Sequence, residues 1–354
     1  MQRTARLGSI VLLLLLIKSK LRRRTYITNQ ILLQPKSSPF SKLLASGTDM
    51  HFITLMGMNI DTFRTLHELV HPLFNVSNEG RPRRLNTVHS LGLALHYLNS
   101  TMKMKTLSMI FGAGPATLSR TLNETLSHLT TILTKLREAR VIWPNREMLE
   151  TYAAMINQRE SRLEHVFGFM DGVYFLVQEP ADPELQTQLY NAWKQHTTTC
   201  TNVFVFVATG EIAYGAYNSP GTWHDSRTAL PVYKMLIDHT PDPFCVVADS
   251  AFPSTDSLHN KVLKPLRLGQ RFRDENEMRE SQVLSRAVTS VRQAAEWGVR
   301  ALQGGFSRLL TRLPVDTEHR ARTIRLCIHL YNLRCRTLGL NQIKTVFESM
   351  HDVD

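Results

Sequence analysis

One stretch constrains this chain more than any other: Val166 to Gly172, VFGFMDG, in which the acidic Asp171 interrupts an apolar run. Apolar and aromatic residues continue through Val173, Tyr174, Phe175, Leu176 and Val177, so the segment reads as a buried strand. A carboxylate inside such a strand is costly unless a cation or hydrogen-bond donors meet it. The rest of the chain must therefore bring compensating groups to Asp171.

At 354 residues the chain is long enough for two domains, or for one domain with a helical annex. Hydrophobic residues make up 43% and charged residues 20%, which excludes wholesale disorder. The net charge of +12 is unevenly placed: residues 1–150 hold 20 Lys and Arg against 8 Asp and Glu, whereas residues 151–354 hold 22 of each. Such asymmetry fits an N-terminal region that meets a polyanion, with nucleic acid the first candidate ahead of a membrane surface or a solubility effect. Cys200, Cys245, Cys327 and Cys335 form no CxxC pair and have apolar neighbours, which favours reduced core thiols and a reducing compartment.

At the N-terminus, Ile10 to Ile17 is an uninterrupted apolar run, preceded by Arg3 and Arg6 and followed by KSKLRRR. Without a small-residue cleavage site it is a poor signal peptide, and a bilayer span needs about 20 residues. It reads as a packing helix with a basic tail, the alternative being a targeting or membrane segment. The cluster Lys18, Lys20, Arg22, Arg23 and Arg24 suits a nuclear address or a phosphate contact, or is an idle solvated face.

Helical periodicity dominates from Asp49 to Leu149. Ile60, Phe63, Leu66, Leu69, Val70 and Phe74 mark one helix between Asn59 and Phe74, NEGRPRR (Asn78 to Arg84) reads as a loop, and Thr87 opens a helix to about Asn99. Two more helices flank GAGP at Gly112 to Pro115. This arrangement suits a helix-turn-helix whose second helix starts at Pro115 and presents Thr117, Ser119 and Arg120, or equally a structural hairpin. Beyond Pro144 the texture changes: strands are expected at 166–178, 200–208 and 211–217, then a helix from Ser226 to about His239, a strand at Phe244 to Ala248, and helices holding Glu296 and Thr317 to Leu338. The expectation is an α/β sheet with an antiparallel portion behind an all-α region. Its divisions are an N-terminal apolar and basic segment over 1–48, a helical region over 49–150, a catalytic region over 151–340 and a tail over 341–354.

Two later acids stand out. Asp249 ends the strand FCVVA where it opens into a loop, the usual place for ligand groups in α/β folds, and Glu296 lies in the helix RQAAEWGVRALQGGFSRL. If the strands of Asp171 and Asp249 are neighbours, their carboxylates converge and repel unless a cation sits between them. Oxygen-only ligands imply magnesium or manganese, and two such ions suit in-line phosphoryl transfer. Each acid also has an ordinary structural role available, as turn residue, helix cap or solvated helix residue.

The ordered series GFMDG, LYNAWK, NVFVFVATGEI, NSPGTWHDS, VVADSAFP and RQAAEWGVRALQGGFSRL resembles the Harbinger-type transposases and their nuclease relatives, as do MNIDTFRTLHELVHPLF and FGAGPATLSRTL. The resemblance spans nearly all of residues 20–340. It implies an RNase H-like catalytic domain with a mixed sheet, preceded by a helix-turn-helix-like domain, that cuts and joins DNA strands with magnesium or manganese. Residue by residue, the acids of the family motif fall on Asp171, Asp249 and Glu296, which makes these the catalytic residues and metal ligands. Asp225, with His224, matches an accessory position. Asn191 and Lys194 match the YNAWK motif, Lys194 as a phosphate contact or an exposed loop lysine. The resemblance further implies a nuclear protein with a cytoplasmic pool, a Myb-like partner protein that recognises DNA, and a homo-oligomer. The competing function is a domesticated, non-cleaving DNA-binding or scaffold protein.

Overall fold

The computed structural model describes residues 10–18, 27, 29–75, 83–192, 197–253, 258–266, 269–270, 272–339 and 341–348. The apolar run forms a helix, α1, over residues 10–18. Its side chains Ile10 to Ile17 are 47–62% exposed, so the expected packing against the core is not realised. Among the described residues no helix is long and apolar enough to cross a membrane. Most of the expected loop Asn78 to Arg84 lies outside the described residues.

The helical region begins earlier than residue 49. Helix α2 (Pro39–Ser46) starts on Pro39, with the Ser38 hydroxyl accepting from Ser41 N, and it buries Phe40. There follow α3 (Asp49–Met56), α4 (Ile60–Asn75) and α5 (Thr87–Asn99), the last capped by the Asn86 side chain, which accepts from His89 N. Helix α6 (Met104–Phe111) ends on Gly112 in the left-handed conformation, and α7 (Pro115–Leu133) restarts on Pro115. Leu118, Leu122, Leu126, Leu129 and Leu133 recur at helical spacing along the buried side of α7, and Ser119 and Arg120 are left exposed. Helix α8 (Arg146–Arg159) leads into the sheet.

Strand β1 (Val166–Leu176) is central. After α9 (Pro183–Leu189) and the short β2 (Tyr190–Asn191) come β3 (Thr197–Val207) and β4 (Ile212–Pro220), joined by a tight turn at Thr209 and Gly210. The helix expected from Ser226 to His239 is two: α10 (Asp225–Thr228) and α11 (Leu230–Asp238), the second starting with Pro231 in its first turn. Strand β5 (Cys245–Val247) is shorter than expected, and β6 (Val262–Leu263) follows it. The chain closes with α12 (Glu275–Gly305), α13 (Thr317–Leu338) and α14 (Gln342–Glu348). The described part of the supposed tail, residues 341–348, is structured: Ile343 and Phe347 are buried, and the Phe347 ring lies 5.2 Å from that of Phe169.

In the sheet β4, β3 and β1 are consecutive antiparallel neighbours, whereas β5 runs parallel to β1 and β6 parallel to β5. Three antiparallel strands followed by two parallel ones, with helices packed against them, is an RNase H-like sheet. Parallel pairing of β1 and β5 needs a crossover, which α10 and α11 supply. One hydrophobic core runs from Phe40 to Phe347, so the helical region and the sheet share it. Arg308, just after α12, ties the two together: it donates to Tyr97 O at 3.0 Å and Met102 O at 2.9 Å and stacks 3.9 Å over the Tyr97 ring. The four cysteines are free and buried, as their apolar neighbours suggested.

Candidate active site

Side chains alternate across a strand, so Phe169, Asp171, Val173 and Phe175 share one face of β1, and Gly172 and Tyr174 the other. Phe169 pairs with Val247 of β5 in parallel register. Asp249 lies two residues past Val247, the last residue of β5 paired with β1, in the loop that follows that strand. Asp249 turns its Oδ1 back toward its own loop, 2.7 Å from Ser250 N and 3.5 Å from Ser250 Oγ.

Helix α12 covers this face. Its Gly298 lies so close to the sheet that an added Cβ would stand 2.7 Å from the Phe206 ring, and Phe206 is the cross-strand neighbour of Phe169. Glycine at this position thus sets the depth at which the helix rides. Two residues earlier Glu296 projects from the same helix with its side chain 39% exposed. It is flanked by arginines one turn to either side, Arg292 at 3.4 Å and Arg300 at 4.0 Å.

Burial pushes the Asp171 carboxyl up to about 6. The Gly172 N–H, donating to Asp171 Oδ1 at 2.9 Å, and the charge of Arg292 pull it back down, whereas Asp225 and Glu296 add to the rise. Asp225 and Glu296 are therefore each within electrostatic reach of Asp171, with Arg292 as the opposing charge.

Asp225 comes from the other side. It opens α10, and its carboxyl carbon would be only 2.4 Å from a Cβ added to Gly172, so the absence of a side chain at 172 makes the room it occupies. The Tyr174 hydroxyl hydrogen-bonds to it; burial first, then the charge of Asp225 and that bond, push Tyr174 up to about 12. Burial, and after it Asp225, also raises Tyr233. Tyr233 Oη meets no hydrogen-bond partner among the described residues. His224, the residue before α10, is exposed and makes no side-chain cap, though its carbonyl accepts from Arg227 N and Thr228 N. A buried amide holds the strand itself: Asn202 Nδ2 donates to Val173 O at 3.1 Å, and its Oδ1 accepts from Asn218 N at 2.8 Å.

The structure thus brings Glu296 of α12 within electrostatic reach of Asp171, sets Asp225 against Gly172 on the other face of β1, and leaves Asp249 in the loop after β5. Among the described residues no three His, Cys, Asp or Glu side chains stand together as a ready metal site. Lys194 lies outside the described residues; its motif neighbour Asn191 is buried on β2. Thr117, half-buried, and the exposed Ser119 and Arg120 stand on the first turns of α7, remote in sequence from the acids. Arg292, Tyr174 and Tyr233 escaped the sequence reading. Arg292 had a signal, the spacing of four before Glu296 on a helix, whereas the tyrosines are marked only by the fold.

Residues 170–332, just under half of the chain, match the family model described as DDE superfamily endonuclease. That segment is accordingly the domain of a nuclease acting on DNA. A search of curated proteins finds no match. One similar solved structure is described as the crystal structure of the Mos1 mariner paired end complex with Mn. It is 13% identical over 74% of this chain and 95% of that one, with a TM-score of 0.15, too low for the likeness to carry an argument.

Proposed function

We propose that the protein is a divalent-metal-dependent DNA endonuclease of transposase type, with Asp171, Asp249 and Glu296 as its catalytic acids and metal ligands. One observation carries the reading: Glu296, on the helix that packs against β1, acts electrostatically on Asp171 within β1, and Asp249 follows β5, the parallel neighbour of that strand. The donor chemistry fits a hard divalent cation, because all three are carboxylates and the half-buried Asp171 is destabilised as an anion by desolvation and by nearby acids. Magnesium or manganese, one ion or two, when bound would activate water or a DNA 3′ hydroxyl and stabilise the leaving oxygen. The chain's own groups set the ligands: Gly172 N–H orients Asp171, Ser250 N–H orients Asp249, and α12 carries Glu296 toward them. Asp225, hydrogen-bonded to Tyr174 behind β1, supports that strand from its other face.

The Harbinger resemblance extends the proposal to a nuclear enzyme that joins as well as cuts, works as a homo-oligomer and recruits a Myb-like DNA-binding partner, with α6 and α7 meeting DNA through Thr117, Ser119, Arg120 and, from the YNAWK motif, Lys194. The test is cleavage of supercoiled DNA by the purified chain in Mg2+ or Mn2+. Nicking that disappears in Asp171→Asn, Asp249→Asn and Glu296→Gln supports the reading, and full activity in any one of them removes that residue from the triad.

One observation favours a second reading, a DNA-binding scaffold that no longer cuts: Glu296 is engaged by two arginines, and the described acids do not form a three-ligand cluster. DNA binding that persists with no cleavage under any divalent ion would establish it.

A further inference from the structure

Arg292 sits one helical turn before Glu296, and its Nη2 is 3.4 Å from Glu296 Oε1. Its side chain is 25% exposed, against 78% for Arg300, the more distant partner of the same carboxylate. The positive charge of Arg292 also acts on Asp171 across on β1, in opposition to Glu296 and Asp225. One half-buried cation thus serves two acids that come from different elements. A guanidinium stays charged at any physiological pH, so the compensation is permanent until the side chain moves. Glu296 is approached at both oxygens, Oε1 by Arg292 at 3.4 Å and Oε2 by the exposed Arg300 at 4.0 Å.

We propose that Arg292 is the resident counter-ion of Glu296: it pairs with this carboxylate while no divalent ion is bound, and such an ion gains Glu296 only by displacing it. The inference rests on Asp171, Asp249 and Glu296 being the metal ligands. It makes Arg292 a positioning residue that sets the threshold for metal entry, with Glu296 the last ligand recruited. Removing its charge relieves a competition and leaves the acids repelling one another until metal arrives.

The experiment titrates Mn2+ into the full chain by calorimetry and records melting in EDTA and in Mn2+. It compares wild type with Arg292→Met, which keeps the aliphatic stem, Arg292→Lys, which keeps the charge, and Arg300→Met; Arg292→Gln replaces the methionine variant if that does not fold. Arg292→Met is expected to bind Mn2+ on the order of tenfold more tightly than wild type. It should also melt lower in EDTA and gain more from Mn2+, with Arg292→Lys staying near wild type and Arg300→Met shifting less. Unchanged affinity in Arg292→Met overturns the inference alone, as does equal tightening in Arg292→Lys. Binding by Arg292→Met but not by wild type supports it in its strongest form. If no variant binds Mn2+, the metal reading fails and takes the inference with it.

Discussion

The two faces of β1 treat their acids differently. On the face under α12, Glu296 pairs with the guanidinium of Arg292, whose charge also acts on Asp171, and Glu296 remains 39% exposed. On the opposite face Asp225 is packed into the space left by Gly172 and meets the hydroxyl of Tyr174, with Tyr233 nearby. Charges balanced by other charges can be exchanged for an incoming cation, whereas a carboxylate held by packing and a neutral hydroxyl stays where it is. On the proposed reading the exchangeable acids are the metal ligands and Asp225 holds the strand.

The largest expected effect falls on the exchangeable face. Asp171→Asn should lower DNA cleavage by about 10²–10³-fold, the range for removing one electrostatic contact to a transition state. The same substitution should stabilise the metal-free protein at neutral pH by up to about 3 kcal/mol, measured by urea unfolding. The sign follows from the direction of the shift. A carboxyl raised to about 6 when folded holds its proton more tightly than in the unfolded chain, so metal-free stability is highest below pH 4 with respect to this group and falls as pH rises from about 4 through 6. In EDTA that decline should vanish in Asp171→Asn; a decline that persists unchanged assigns it to other groups.

On the packed face, Gly172→Ala should destabilise by about 1–3 kcal/mol, because the new methyl group meets the Asp225 carboxylate, which cannot swing freely to solvent. Retention of wild-type stability would mean that Asp225 is mobile after all. Smaller still is Tyr174→Phe, expected to cost about 1.5 kcal/mol, the low end for a hydrogen bond to a charged group, while leaving the linkage of Asp171 to pH intact. The smallest effect lies away from β1: Arg120→Ala on α7 should reduce the salt slope of DNA binding by about one, as for loss of a single phosphate contact.

Elements whose cause is local were legible in the sequence. The helices Thr87–Asn99 and Thr317–Leu338 lie where the sequence placed them, and Asn86 and Asp316 cap their starts. The strand bearing Asp171 and the hairpin of β3 and β4 were legible from their apolar runs and the turn between them. Features that depend on a distant partner were not. The run Ile10 to Ile17 has the composition of a core helix but finds no core, and Phe347 looks like part of a tail until Phe169 is placed beneath it. Gly172 is unremarkable in the sequence, and only the approach of α10 makes it necessary. The three acids could be nominated from their types and from a family resemblance, but that the strand before Asp249 lies beside the one bearing Asp171 depended on β5 pairing with β1, which no local pattern encodes.

The central claim is that the acids beneath α12 form the metal-binding face and that Asp225 is its support. Mn2+ binding to the full chain, measured by calorimetry for wild type, Asp171→Asn, Asp249→Asn, Glu296→Gln and Asp225→Asn, tests it most directly. The account expects each of the first three substitutions to weaken binding more than Asp225→Asn does. Loss of binding in Asp225→Asn, with Glu296→Gln still binding as wild type, would contradict it.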